Sequence, residues 1–190
     1  KGSDFRMRLN DALQQMATLV YHKNDLIDSA INEQDINRYL TSNANELFAQ
    51  KENQNALEEV ERYIKLQSKI SLTVTMKSLR DHFVGKEPYG FVNEDLEWII
   101  ARLFKEGAIK IIKNGISLSI TDNLKEVSEA IFTRRMPEKI RIEMKEVIGA
   151  EKKLVAKELG VELFDVRSLV DDTNDDLTKA SFKEKVDKMI

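Results

Sequence analysis

Cysteine is absent from the 190 residues, which removes disulfides, thiol nucleophiles, iron–sulfur clusters and every cysteine-containing zinc site. Proline occurs twice and glycine seven times, so few breakers interrupt the backbone and a mostly helical chain is expected. No apolar run approaches the ~18 residues of a membrane helix. Internal repeats and low-complexity tracts are also missing. Neither sign of charge dominates, since 30 basic and 33 acidic residues leave −3, which supplies no general pull toward a polyanion. The two histidines, His22 and His82, stand far apart, and neither belongs to a His-x-x-x-His pair.

What the chain does have is 42% hydrophobic and 33% charged residues, enough for one large or two small units with real cores. The composition reads as soluble, helical and cytoplasmic. Lys1-Gly2-Ser3 leads straight into an amphipathic segment, without an initiator methionine or a signal-peptide pattern. At the other end Phe182, Val186 and Met189-Ile190 carry an apolar stripe to the last residue. A piece of a longer protein is therefore expected.

Three regions follow from periodicity: a helical bundle or arm over 1–69, a winged helix over 70–121 and a helical region over 122–190. In the first, Phe5, Leu9, Ala12, Met16, Leu19 and Val20 fall on one helical stripe, continued by Ile36, Leu40, Leu47 and Phe48 and then by Leu57, Val60 and Ile64. Core packing explains this better than docking. In the second, Ile70, Leu72 and Val74 alternate as in a strand. Thr75 then caps a short helix with Met76, Leu79 and Phe83 inward. The run Gly85-Lys86-Glu87-Pro88-Tyr89-Gly90 is a turn. Asn93 caps a helix burying Leu96, Ile99, Ile100, Leu103 and Phe104, which Gly107 ends. Asn114-Gly115 between Ile109, Ile111 and Ile116, Leu118, Ile120 is the strongest short hairpin signal. Strand, helix, turn, helix, hairpin is the winged-helix plan. The fold expected is mainly α, with a small antiparallel sheet in the central domain.

The third region reads as helices. Asp122 or Asn123 caps Leu124, Val127, Ala130 and Ile131. Pro137 opens a helix through Ile140, Met144, Val147 and Ile148 to Gly149. A further helix runs over 154–159 to Gly160, and the acidic turn Asp171–Asp176 precedes the last one. Val155-Ala156, Gly160-Val161, Val166 and Leu169 have helix-turn-helix packing spacing. The helix that would read DNA there is acidic (Glu162, Asp165, Arg167, Asp171), so a structural hairpin is expected.

Catalytic patterns fail one by one. Gly85-Lys86 is followed by Glu87, and Arg80 stands where a P-loop needs its first glycine. An EF-hand counted from Asp171 needs Gly at 176 and Glu at 182, where Asp176 and Phe182 stand. No base is paired with a nucleophile. No cofactor or metal is expected on this chain.

Binding is the open question. The helix beginning at Asn93 occupies the groove-reading position, yet its first turns carry Glu94, Asp95 and Glu97, which would meet phosphates with like charge. The alternative of duplex contact would run through Lys110 and Lys113 on the wing and through Arg134, Arg135, Lys139, Arg141 and Lys145, taken as one helix face interleaved with glutamates. A solvated surface is the usual reading of such a face, which is also the best phosphate-contact candidate. Trp98 lies about 200° from Leu96 on a wheel of ~3.6 residues per turn. With Asp95 and Arg102 beside it, it suits a protein interface; burial against the preceding bundle or the following helices is an equal alternative.

At Lys86-Glu87-Pro88-Tyr89-Gly90-Phe91, Asp95-Leu96, Ile99, Leu103-Phe104 and Gly107-Ala108-Ile109, with Thr121-Asp122 and Arg134-Arg135, the chain resembles the C-terminal part of the large P-loop ATPases of bacteriophage-exclusion systems, the BrxC/PglY group. The resemblance covers roughly 80–150. It implies a bacterial cytoplasmic protein of well over a thousand residues, with ATP and magnesium bound only in an upstream motor. The implied partners are other subunits of a defence complex, or a second copy, and DNA. No Walker residue carries over, so the resemblance implies an accessory module that mediates assembly, with sequence-tolerant DNA binding, in the manner of a transcription regulator, as the alternative.

Overall fold

The structure is a computed structural model that describes residues 2–42, 52–119, 124–145, 150–166, 169–171 and 175–188. Several expected positions lie outside that set: the stripe residues Leu47 and Phe48, Ile120 and Thr121, the caps Asp122 and Asn123, Val147 to Gly149, Arg167, the middle of the acidic turn, and Met189-Ile190. The described residues fall into two units, 1–145 and 146–190.

In the first unit, helix α1 (Gly2–Val20) forms as its periodicity predicts, but its stripe enters no core. Phe5, Leu9, Met16 and Leu19 are all exposed, Leu19 to 77%. The expectation of a buried stripe is corrected: spacing dictates a helix with an apolar face, and what covers that face is a separate matter. A 3₁₀ turn (Asn24–Leu26) leads to α2 (Glu33–Thr41). Asn32 and Asp35 cap α2 reciprocally, and Ile36, Tyr39 and Leu40 face inward. Helix α3 (Gln54–Lys69) buries Ala56, Leu57, Val60 and Ile64. Asn53 starts it in the left-handed region, with φ of 57°. Its fully buried side chain accepts from the backbone N–H groups of Asp28 (2.8 Å) and Ser29 (2.9 Å).

The strand expected from Ile70 shrinks to β1 (Val74–Thr75). Ser71 turns left-handed at φ 59°, and Ile70 and Leu72 are left exposed. Thr75 and Ser78 then form the capping box of α4 (Met76–Phe83), as the threonine predicts. The following turn packs so closely that a Cβ on Gly90 would lie 2.7 Å from the Tyr21 ring; with φ of +65°, only glycine fits without movement. Helix α5 (Asn93–Lys105) starts one residue earlier than expected: Val92 is the cap position, and Asp95 reaches back to accept its N–H at 2.9 Å. The hairpin forms as Asn114-Gly115 predicts, with positive φ at both, joining β2 (Ile109–Lys113) to β3 (Ile116–Ser117).

Helix α6 (Leu124–Phe132) buries Val127, Ala130 and Ile131. The helix expected after Pro137 is instead a 3₁₀ turn (Pro137–Lys139) and a strand, β4 (Ile140–Met144). Ile-Arg-Ile-Glu-Met alternates with period two, and that local signal overrides the weaker i, i+4 match of Ile140 to Met144. Strand β4 sits inside a four-stranded antiparallel sheet of order β1-β4-β2-β3, with Ile142 opposite both Val74 and Ile111. One hydrophobic cluster joins residues from Ile36 to Ile142.

The second unit holds α7 (Ala150–Phe164) and α8 (Asp175–Asp187). Helix α7 runs through Gly160 rather than ending there, and Asp165 closes it at φ 53°. A Cβ at 160 would meet the Val166 carbonyl at 3.1 Å. The Phe164 and Phe182 rings meet edge-on, and Lys153 pairs with Asp175 at 2.7 Å.

Candidate functional site

The helix-turn-helix places α5 where a reading helix belongs, so its surroundings decide what it can touch. Ten successive residues, Asp95 to Phe104, are buried. A helix half polar in sequence is buried on every side only if its charged groups find partners, and here Asp95, Glu97 and Arg102 each do. Glu97, 1% exposed, accepts from Arg80 at 3.0 Å and from Arg134. Arg80 also donates to the carbonyls of Ile131 (3.1 Å) and Thr133. Burial pulls the Arg80 guanidinium below its ordinary range, while the bond to Glu97 pushes that of Arg134 above it. Arg102 donates to Glu106 (3.0 Å), to the Glu52 carbonyl (2.7 Å) and to Gln54 (3.1 Å). Burial raises the Asp95 carboxyl, against the pull of the Val92 N–H.

Trp98 is therefore no surface residue. It is 1% exposed and meets the Tyr39 ring edge-on at 4.8 Å. Asp95, Trp98 and Arg102 share the core, and the alternative of Trp98 buried against the preceding helices is the one realised. The trio's off-stripe position was legible; the helix that covers it, α2, carried no signal of where it would pack.

The basic residues expected at DNA do not share one helix. Arg134 and Arg135 follow α6, Lys139 ends the 3₁₀ turn, Arg141 is on β4, and Lys145 follows it. Ion pairs engage Arg134 with Glu97, Arg141 with Glu143 at 3.0 Å, and Lys113 with Glu129 at 3.6 Å. Lys110 is half-buried on β2, opposite Glu143. Arg135, Lys139 and Lys145 are exposed. The sheet register brings Lys110 and Arg141 to one face, and Lys113 to the other, with Ile111.

Two features had no sequence signal. Lys23 reaches Glu59 of α3 at 2.6 Å, and the Tyr89 hydroxyl donates to the same oxygen at 2.7 Å. Burial works to raise the Glu59 carboxyl, but Lys23, Tyr89 and Arg62 outweigh it and hold it down to about 2. The second feature is a cavity of about 360 Å³ between α2, the 29–31 approach and α5. Tyr39 and Trp98 line it, and the Tyr39 hydroxyl and Trp98 Nε1 are both buried without a hydrogen-bond partner. Each such group typically costs about 1–3 kcal/mol. Burial pushes the Tyr39 hydroxyl up to about 12, so it keeps its proton.

Among the described residues no group of three or more His, Asp or Glu could hold a metal ion. His82 is stacked on Tyr63 at 4.1 Å, and burial lowers its pKa. No helix among the described residues is long and apolar enough to cross a membrane.

A protein-family model described as the BREX ATP-binding protein BrxC winged helix-turn-helix domain matches residues 18–146. No solved structure matches the chain.

Proposed function

The chain belongs to the BrxC winged helix-turn-helix family of bacteriophage-exclusion ATP-binding proteins, and from that premise we propose that it is a non-catalytic module of a larger cytoplasmic P-loop ATPase, joining it to partner proteins. One observation carries the reading: α5, the helix placed to read DNA, is enclosed over ten successive residues. Base readout needs side chains that reach groove edges, and here those side chains are engaged in the core. A winged helix with its reading helix enclosed keeps its outer surfaces for protein contacts.

A duplex-DNA titration at low and near-physiological salt tests this. The expected result is no binding tighter than about 10⁻⁴ M at physiological salt, the weak limit of non-specific contact. Sub-micromolar binding there would overturn the reading.

A second reading has its own observation: Arg135, Lys139 and Lys145 are exposed within one short stretch. Sequence-tolerant phosphate contact would run through them, with Arg134, Arg141, Lys110 and Lys113 contributing on release of their acidic neighbours. Its signature is low-salt affinity that falls as salt rises, with a log–log slope of about −0.9 per phosphate contacted. Joint substitution of Arg135, Lys139 and Lys145 by alanine would then make that slope shallower; an unchanged slope would rule it out.

A further inference from the structure

We propose that α1 pairs, antiparallel, with α1 of a second copy of this chain, through the apolar stripe that its own fold leaves uncovered. Every residue from Asp4 to Val20 is exposed. On a helix turning about 100° per residue, Phe5, Leu9, Ala12, Leu13, Met16, Leu19 and Val20 fall within one arc of about 120°. A helix of 19 residues without packing is only marginally stable in water, because most helical stability comes from covering such a face. Spacing says what the cover is. Phe5, Leu9, Ala12, Met16 and Leu19 are separated by four, three, four and three residues, the seam of a coiled coil, so the cover is another helix. Charge says which helix. Asp4, Arg6, Arg8 and Asp11 all lie in the first part of α1, and 12–20 carry no charge. A second α1 running the other way lays its uncharged half against Arg6 and Arg8. The seams also match in size, with Phe5 level with Met16 of the copy and Leu9 level with Ala12 of the copy. A parallel pair would instead gather the basic residues of both copies at one end.

Area agrees with this. Phe5, Leu9, Leu13, Met16, Leu19 and Val20 are 40–77% exposed. At roughly 200 Å² for a large apolar side chain standing free, they offer roughly 700 Å² per copy. That exceeds the largest apolar patch of a typical monomer, about 300–600 Å², and approaches the ~800 Å² a side of a standard interface. The contact uses neither α5 nor the sheet, so it goes beyond the reading of the winged helix and does not depend on it.

Sedimentation equilibrium of the whole 190-residue chain tests the proposal. The mass is expected to rise with concentration from that of one chain, 21.9 kDa, toward twice that. The expected Kd is ~10–100 µM, the weak end for an interface of this size. Well below that concentration the chain is a monomer, and its folding stability is independent of pairing. Leu9→Glu with Met16→Glu should keep it a monomer throughout. Orientation is read at residue 15, which antiparallel pairing sets beside Arg8 of the copy, twice in each dimer. Gln15→Glu should tighten the dimer by roughly two- to fivefold and Gln15→Lys should loosen it by as much, the scale of two exposed charge pairs. Gln15 is exposed, and circular dichroism checks that each variant keeps its helix. In a parallel pair residue 15 faces Val20 of the copy, and the two variants would behave alike. Equal effects, or effects in the reverse order, would overturn the antiparallel pair. A single-chain mass up to ~500 µM, well above the expected Kd, overturns the contact itself. So does a dimer that the double substitution leaves intact.

Discussion

Glu97 is the residue on which the closed form of α5 most depends. It is 1% exposed and takes hydrogen bonds from Arg80 and Arg134. Removing one partner of a buried ion pair leaves the other charge uncompensated. Glu97→Gln should therefore cost about 3 kcal/mol in a urea titration, the scale for a broken buried pair, with an unchanged slope. A loss below 0.5 kcal/mol, the ordinary surface range, would mean that water reaches the pair. Glu59 makes a prediction in pH. Its folded pKa of about 2 lies below the ordinary 4.5, so its contribution is fully present above pH 4.5 and fades as pH falls toward 2. By linkage the total is about 3 kcal/mol. Wild-type stability should fall across that window more steeply than that of Glu59→Gln, followed by urea midpoints between pH 5 and 3. Parallel curves would deny the carboxylate that role.

Elements differ in how far local pattern determines them. The short helix after Thr75, the hairpin at Asn114-Gly115 and the inward face of α5 were all legible, because each rests on nearby residues: a cap three residues from its partner, a turn needing positive φ, a stripe of five apolar side chains. The β4 segment was not, since Ile140 and Met144 satisfy a helical spacing as well as a strand's, and the β1 and β2 edges on either side decide between them. Ile142, 1% exposed and paired on both sides, should lose about 2–4 kcal/mol on replacement by alanine. A loss under 1 kcal/mol would contradict a central strand. The candidate sites fared differently from the fold. Lys110 to Lys145 are visible as charges, but whether each meets solvent or a glutamate is a long-range fact, as Lys113 and Glu129 show. Helix α1 is the opposite of β4: correctly read as a helix, and unburied. Leu9→Glu with Met16→Glu should shift the urea midpoint by no more than about 0.5 kcal/mol equivalent, because exposed positions contribute little. A larger loss would place that face in a contact with the rest of the protein.

At the scale of the whole molecule, the division into 1–145 and 146–190 invites a test with two probes. Tryptophan fluorescence reports the first unit alone, since Trp98 is the sole reporter, whereas far-ultraviolet circular dichroism also registers α7 and α8. Units that unfold separately give curves that do not coincide in urea; superimposable curves would show one cooperative body. The same molecule sets terms for anyone who wishes to alter what it recognises. Exchanging the reading helix is the usual route to a new target, because that helix normally has one free side to rewrite. Here every position from Asp95 to Phe104 is already committed inward, so such an exchange becomes a repacking of the interior, and new specificity has to be written on the loops and the sheet instead.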